Sequence, residues 1–238
     1  MPFFDFIDTL PRYVDLDRPQ ANRLNLRRRF IIGPTKPAFK DARVLDLASH
    51  DGRWCYAFAA AGAREVIGFE GRRELIDTFE DFPDAQLKAK VTLHCTDIFD
   101  GLEAALEQGE TFDVIGVLGI YYHIMDHRRL LKLISALKPK LVIIDSEFST
   151  RPNPIIQLVQ ERTDNVLNAL PEFEGQEVVV KGVPSFRAME LMAASTGFDL
   201  VWNDVSDIPK GRRGGVADYY RKTNMRRATC FLRPQSTS

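Results

Sequence analysis

The chain has 238 residues, 45% hydrophobic and 27% charged, which excludes a disordered, collagen-like or coiled-coil protein and suits one domain with additions. Lys and Arg number 32 against 33 Asp and Glu, a net charge of -1, so no overall field gathers nucleic acid or an anionic membrane. No apolar run nears the ~18 residues of a membrane span, so no membrane partner is expected. Cys55, Cys95 and Cys230 lie far apart without metal-ligand spacing, which fits reduced thiols and a cytoplasmic location.

Residues 1–40 read as an N-terminal helical extension: apolar Phe3, Phe4, Phe6, Ile7 and Leu10, then an Arg-rich stretch ending at Arg29, closed by Pro34 and Pro37. From Arg43 short apolar runs alternate with helical stretches. Strands are predicted over 44–48, 65–70, 90–97, 112–119 and 139–148, with helices from 53 to Gly62 and over 74–82, 98–108 and 127–137. Such alternation predicts an α/β fold, a doubly wound sheet with helices on both faces. The rhythm breaks after Phe148. A lid insertion is expected at about 149–184, holding an amphipathic helix over 155–170 (Ile155, Leu158, Val159, Val166 and Leu170 near one face) and a short strand over 177–182. A helix over 185–197, with Ser185 as N-cap, precedes a final strand pair at 198–204 and 226–234. Residues 41–238 thus form the main domain.

The most informative block is Val44-Leu45-Asp46-Leu47-Ala48-Ser49-His50-Asp51-Gly52-Arg53-Trp54. A strand ends at Asp46, a turn follows, and Gly52 opens a helix. Such a turn offers backbone N–H groups and the positive end of a helix to a ligand. An ordinary strand-to-helix turn is the competing reading of this block alone. The second strand ends in Glu70 beside Gly71, where an acid ~20 residues past a nucleotide-binding turn can hold both ribose hydroxyls. The third strand ends in Asp97, which can accept from an adenine amino group. Three strands thus deliver carboxylates to one sheet edge.

This arrangement resembles the class I S-adenosylmethionine-dependent methyltransferases, whose first motif runs apolar-apolar-Asp/Glu-apolar-Gly-x-Gly-x-Gly. Ala48 and His50 stand at the first two glycine positions, and only Gly52 is retained. The resemblance implies a Rossmann-like sheet of seven strands with the last antiparallel, and S-adenosyl-L-methionine as cofactor. It implies cofactor contacts at Asp46, Ala48, Ser49, His50, Gly52, Trp54, Glu70, Gly71, Asp97, Ile98 and Leu118, with Ile98 offering its N–H to adenine.

The segment 116–131, GVLGIYYHIMDHRRLL, is similar to the stretch after the fourth strand in methyltransferases related to tRNA wobble-uridine modification, with Gly119 and Ile120 inserted. Tyr121, Tyr122 and His123 are the candidate catalytic residues. A neutral His123 can take a proton from a hydroxyl or amine; ordering the loop through a backbone hydrogen bond is the other reading. His123, Asp126 and His127 have helical spacing, but no further ligand is fixed near them and no metal is expected; Asp126 reads as an N-cap. A basic loop carries Lys210, Arg212, Arg213, Arg221, Lys222, Arg226 and Arg227 around Tyr219-Tyr220. It suits an anion or an RNA backbone, or is simply solvated. Within the Arg27–Arg29 run, one arginine is available to the cofactor carboxylate.

Methyl transfer to an O or N atom of a small molecule, with an anionic acceptor in view, is the primary expectation. An RNA (tRNA) methyltransferase and a non-catalytic S-adenosylmethionine-binding protein are the alternatives, and a homodimer is left open. The sequence does not name the acceptor.

Overall fold

The computed structural model describes the chain except residues 1, 15, 166, 167, 169, 170, 172, 237 and 238. The strands are β1 (Arg43–Leu47), β2 (Glu65–Glu70), β3 (Val91–Cys95), β4 (Val114–Leu118), β5 (Leu141–Ser149), β6 (Ile156–Arg162), β7 (Val178–Pro184), β8 (Phe198–Trp202) and β9 (Met225–Pro234). The helices are α1 (Pro11–Val14), α2 (Ala21–Ile31), α3 (Arg53–Ala61), α4 (Arg73–Asp77), α5 (Ala85–Lys88), α6 (Ile98–Glu107), α7 (His127–Ala136) and α8 (Phe186–Ser195).

Seven strands form one sheet in the order β3-β2-β1-β4-β5-β9-β8. The first five run parallel, and β9, the last in the chain, lies antiparallel between β5 and β8. This is the Rossmann-like arrangement expected from the sequence. Every residue of β4 is buried, as a strand covered on both faces requires. One core layer packs Val44, Phe58, Val66 and Ile143 with Phe4, Ile7, Leu24 and Ile31 from the N-terminal segment. The other packs Leu45, Leu102, Leu130, Ile134 and Met189. Strand order reverses between β1 and β4, and a crevice opens there beyond the carboxyl ends of the strands.

Two expectations are corrected. The 74–82 helix is the single short turn α4 followed by a 3-10 turn, Thr78–Asp81. The expected helix at 155–170 is instead strand β6, paired antiparallel with β7 from Ile156↔Pro184 to Arg162↔Val178. The spacing of Ile155, Leu158 and Val159 fits a helix. The same residues also alternate, with Ile156, Leu158, Gln160 and Arg162 exposed and Gln157, Val159 and Glu161 turned inward. A valine-rich partner strand settles such short ambiguous runs in favour of pairing. Val166 and Leu170, also assigned to that helix, lie outside the described residues.

The N-terminal segment, the sheet and the C-terminal loop meet at Asp145 on β5, which is fully buried. Its carboxylate accepts from Arg27 Nη2 at 2.6 Å, Arg227 Nη1 at 2.9 Å, Thr229 Oγ1 at 2.8 Å and the Tyr219 hydroxyl. Burial alone would raise its pKa, but the two guanidiniums and two hydroxyls outweigh it and bring it down to about 2. Unfolded, the group titrates near ~3.9. Its contribution to stability is therefore full above that value and is lost as pH falls through about 2. Asp145→Asn should lower the unfolding free energy at neutral pH by about 3–5 kcal/mol, the cost of stranding buried cations, and should flatten the acid limb of the stability curve. Chemical denaturation across pH measures both, and an unchanged midpoint would show that the arginines need no counter-charge.

Candidate active site

The loop after β1 carries three left-handed residues at alternating positions: Ala48 (φ 55°), His50 (φ 57°) and Gly52 (φ 77°). These are the three positions at which the methyltransferase motif carries glycine. Ala48 and His50 hold the same backbone shape despite their side chains, at ~1–2 kcal/mol each. At Gly52 a Cβ would also come within 2.5 Å of Phe79, so glycine is required there.

Glu70, at the end of β2, fixes this loop. One carboxylate oxygen accepts the His50 N–H at 2.9 Å and the other the Arg72 N–H at 3.0 Å. Asp51 anchors the loop from behind. It accepts from Arg53 Nε at 2.6 Å and from the Tyr13 hydroxyl, so α1 is tied to the motif. Arg12 Nη2 lies 3.2 Å from His50 Nε2, and burial, then the Arg53 charge, lower the His50 pKa to about 4. Asp46 is buried beneath the loop; among the described residues its carboxylate accepts one hydrogen bond, from the Cys55 thiol at 3.4 Å, and burial raises its pKa to about 8.

A cavity of about 540 Å³ occupies the crevice, a volume typical of small-molecule sites. One end is walled by Ala48, His50, Glu70, Gly71, Asp97 and Ile98; Trp54 and Leu118 also line it, and the other end is formed by Tyr122, His123, Arg23, Arg27 and Arg227. Asn168, Val179 and Val180, from the β6–β7 insertion, complete the wall. The Asp97 carboxylate caps α6 by accepting the Phe99 N–H at 2.7 Å.

Several expected residues do not face the cavity. Asp46, Ser49 and Gly52 shape the loop from below it. Tyr121 is corrected: it is 0% exposed, stacked edge-on to His127 with centroids 4.8 Å apart, and belongs to the core. His127 points away as well, its Nε2 bonded to the Tyr121 carbonyl at 3.0 Å. Asp126 stands at the N-cap of α7 but makes no side-chain cap bond, and lines the cavity instead. Of the basic loop only Arg227 reaches the cavity; Arg213 stacks on Tyr220, Arg221 pairs with Glu147, and Arg226 lies over Phe186. Within the Arg27–Arg29 run, Arg27 faces the cavity over the Trp54 ring, while Arg29 pairs with Asp207 at the surface.

The sequence reading missed Arg23, Glu161 and Lys181. Arg23 and Arg27 sit four apart on α2, a helical spacing that places both on one face. Asp218 receives Arg23 at 2.7 Å and Arg227 at 3.0 Å. Three arginines at the cavity thus meet two buried aspartates, Asp145 and Asp218. Among the described residues, Arg227 Nη2 makes no hydrogen bond.

Residues 16–203 match the model of a family described as "Methyltransferase domain". A tRNA U34 carboxymethyltransferase from Cellvibrio japonicus is 32% identical over 111 residues, 44% of this chain; the match spans only 32% of that relative's length. The N-terminal domain of EvdMO1, solved with SAH bound, superposes with a TM-score of 0.65 at 16% identity, covering 91% of this chain and 82% of that one. An S-adenosylmethionine-dependent methyltransferase from Mesorhizobium loti superposes with a TM-score of 0.54 at 14% identity, covering 84% and 97%. With the motif loop, the sheet order and a family match over most of its length, the chain belongs to the methyltransferase domain family and has the fold of the class I S-adenosylmethionine-dependent methyltransferases.

Proposed function

We propose that the chain transfers a methyl group from S-adenosylmethionine to an oxygen or nitrogen of a small anionic molecule. The observation that carries this reading is the cavity at the carboxyl ends of the strands, lined by Glu70 and Asp97 beside β2 and β3 and by Arg23, Arg27 and Arg227 from α2 and β9. When bound, S-adenosylmethionine supplies an electrophilic methyl group. The residues fit it: Glu70 keeps acceptor capacity on both oxygens for two ribose hydroxyls, and Asp97 with the Ile98 N–H suits an adenine edge. Arg27, held over Trp54, suits the methionine carboxylate.

At the far end, Arg227 keeps one guanidinium nitrogen, Nη2, without a hydrogen-bond partner among the described residues, and an anionic acceptor would supply one. Arg227 is the residue proposed to bind it, through Nη2. The Tyr122 ring lies between Lys181 Nζ, at 4.8 Å, and Arg227, at 5.6 Å, and forms an aromatic wall that excludes water. His123 is the proposed base. Alignment and desolvation contribute the rest, because methyl displacement needs no covalent enzyme intermediate.

The relative's name, a tRNA carboxymethyltransferase, favours a tRNA acceptor and so a second reading, an RNA (tRNA) methyltransferase. Against it stands the net charge of -1; in the 205–225 loop Arg213 is stacked on Tyr220 and Arg221 paired with Glu147, which leaves Lys210, Arg212 and Lys222 as its remaining exposed cations.

Two experiments test the proposal. Protein incubated with methyl-labelled S-adenosylmethionine should label a deproteinised metabolite extract and leave bulk tRNA unlabelled; label in tRNA alone would overturn the small-molecule reading. Glu70→Ala should weaken S-adenosylhomocysteine binding about 10–100-fold, roughly 1.5–3 kcal/mol, in titration calorimetry. An unchanged Kd would remove Glu70 from the cofactor site.

A further inference from the structure

We propose that Glu161, carried by the inserted β6–β7 hairpin, is the positioning residue for His123, so that the proposed base is complete only with the hairpin in place. The inference rests on the methyl-transfer reading for the direction of proton movement, and on geometry for the rest. His123 closes the 3-10 turn Tyr121–His123 after β4, is 7% exposed and lines the cavity. Its Nδ1 lies 2.6 Å from Glu161 Oε1, and Lys181 Nζ donates to Glu161 Oε2 at 2.6 Å. All three side chains are buried or nearly so.

A carboxylate accepts and cannot donate, so Nδ1 must carry the proton of this contact. Neutral His123 is thereby held with Nδ1–H toward Glu161 and an Nε2 lone pair available as acceptor. Among the described residues Nε2 makes no hydrogen bond. A base needs this tautomer, with the ring held by a partner on its far side.

The hairpin register explains the arrangement. Glu161 pairs across the strands with Val179 and Val159 with Lys181, so Glu161 and Lys181 are diagonal neighbours on the inward face. Lys181 balances the Glu161 charge and lies against Tyr122. The charged groups facing His123 are Glu161 from β6, Lys181 from β7 and Arg227 from β9. Burial lowers the His123 pKa; Glu161 works against this, and Lys181 and Arg227 add to it. The ring is therefore neutral at physiological pH and can accept a proton.

In the step served, an acceptor O–H or N–H gives its proton to His123 Nε2 while its electron pair forms the new bond to the methyl carbon. The carbon–sulfur bond breaks and its electrons stay on sulfur. The resulting imidazolium is stabilised by Glu161, which remains ionised.

The test is long-range proton–nitrogen correlation NMR on protein with nitrogen-15 imidazoles. The chain has four histidines, and His123→Gln assigns the resonance. Wild-type His123 should show a pyrrole-like Nδ1 and a pyridine-like Nε2. Glu161→Gln keeps an acceptor but loses the charge, and should lower the His123 titration midpoint by about one unit or more. The double variant Glu161→Leu with Lys181→Met leaves no stranded charge, and should shift the ring toward the Nε2–H tautomer. Wild-type His123 carrying Nε2–H, or a midpoint unmoved in Glu161→Gln, would overturn the proposal. Calorimetry with S-adenosylhomocysteine separates the two failures. A wild type that does not bind it overturns the methyl-transfer reading and the base with it, whereas one that binds it but carries Nε2–H overturns the positioning role alone.

Discussion

A single buried carboxylate, Asp145, organises the cavity's charged end. It sits on a central strand and draws donors from three separate regions: Arg27 from α2, Tyr219 from the C-terminal loop, and Arg227 and Thr229 from β9. Buried arginines without a counter-charge would cost several kcal/mol each. The N-terminal segment and the last strand therefore have their positions set by one group. The same contacts aim two guanidiniums along the cavity wall, so the interaction that ties the periphery to the sheet also creates the positive end of the site.

The opposite end is built by backbone. Glu70 accepts N–H groups from the motif loop and from the start of α4, while Asp51 ties that loop to Tyr13 and Arg53. The left-handed φ values at Ala48 and His50 show that the loop's shape is kept without the glycines that usually permit it. Local strain of this kind persists where surrounding contacts over-determine the backbone. Here those contacts are the Glu70 carboxylate and the buried Asp51 cluster.

The sheet was legible in the sequence because buried parallel strands such as 65–70 are short apolar runs bounded by turns, and because Asp46, Glu70 and Asp97 each close such a run. The 155–162 segment was not, since Ile155, Leu158 and Val159 satisfy a helical period, whereas in β6 the adjacent Leu158 and Val159 fall on opposite faces. Only pairing with 178–184 distinguishes strand from helix. Tyr121 and Tyr122 are adjacent and chemically alike, and the 3-10 turn that buries one and exposes the other to the cavity has no marker in the residues themselves. Arg23 at the cavity, and Glu161 and Lys181 behind His123, come from distant parts of the chain, and the contacts that define them are long-range.

The two ends meet in one cavity, and the central claim is that a methyl donor lies between them. A crystal structure of the protein with S-adenosylhomocysteine tests this most directly. The ribose hydroxyls should fall on Glu70, the adenine along Asp97 and Ile98, and the thioether should face Tyr122 and His123. A ligand bound elsewhere, or one whose ribose makes no contact with Glu70, would contradict the account.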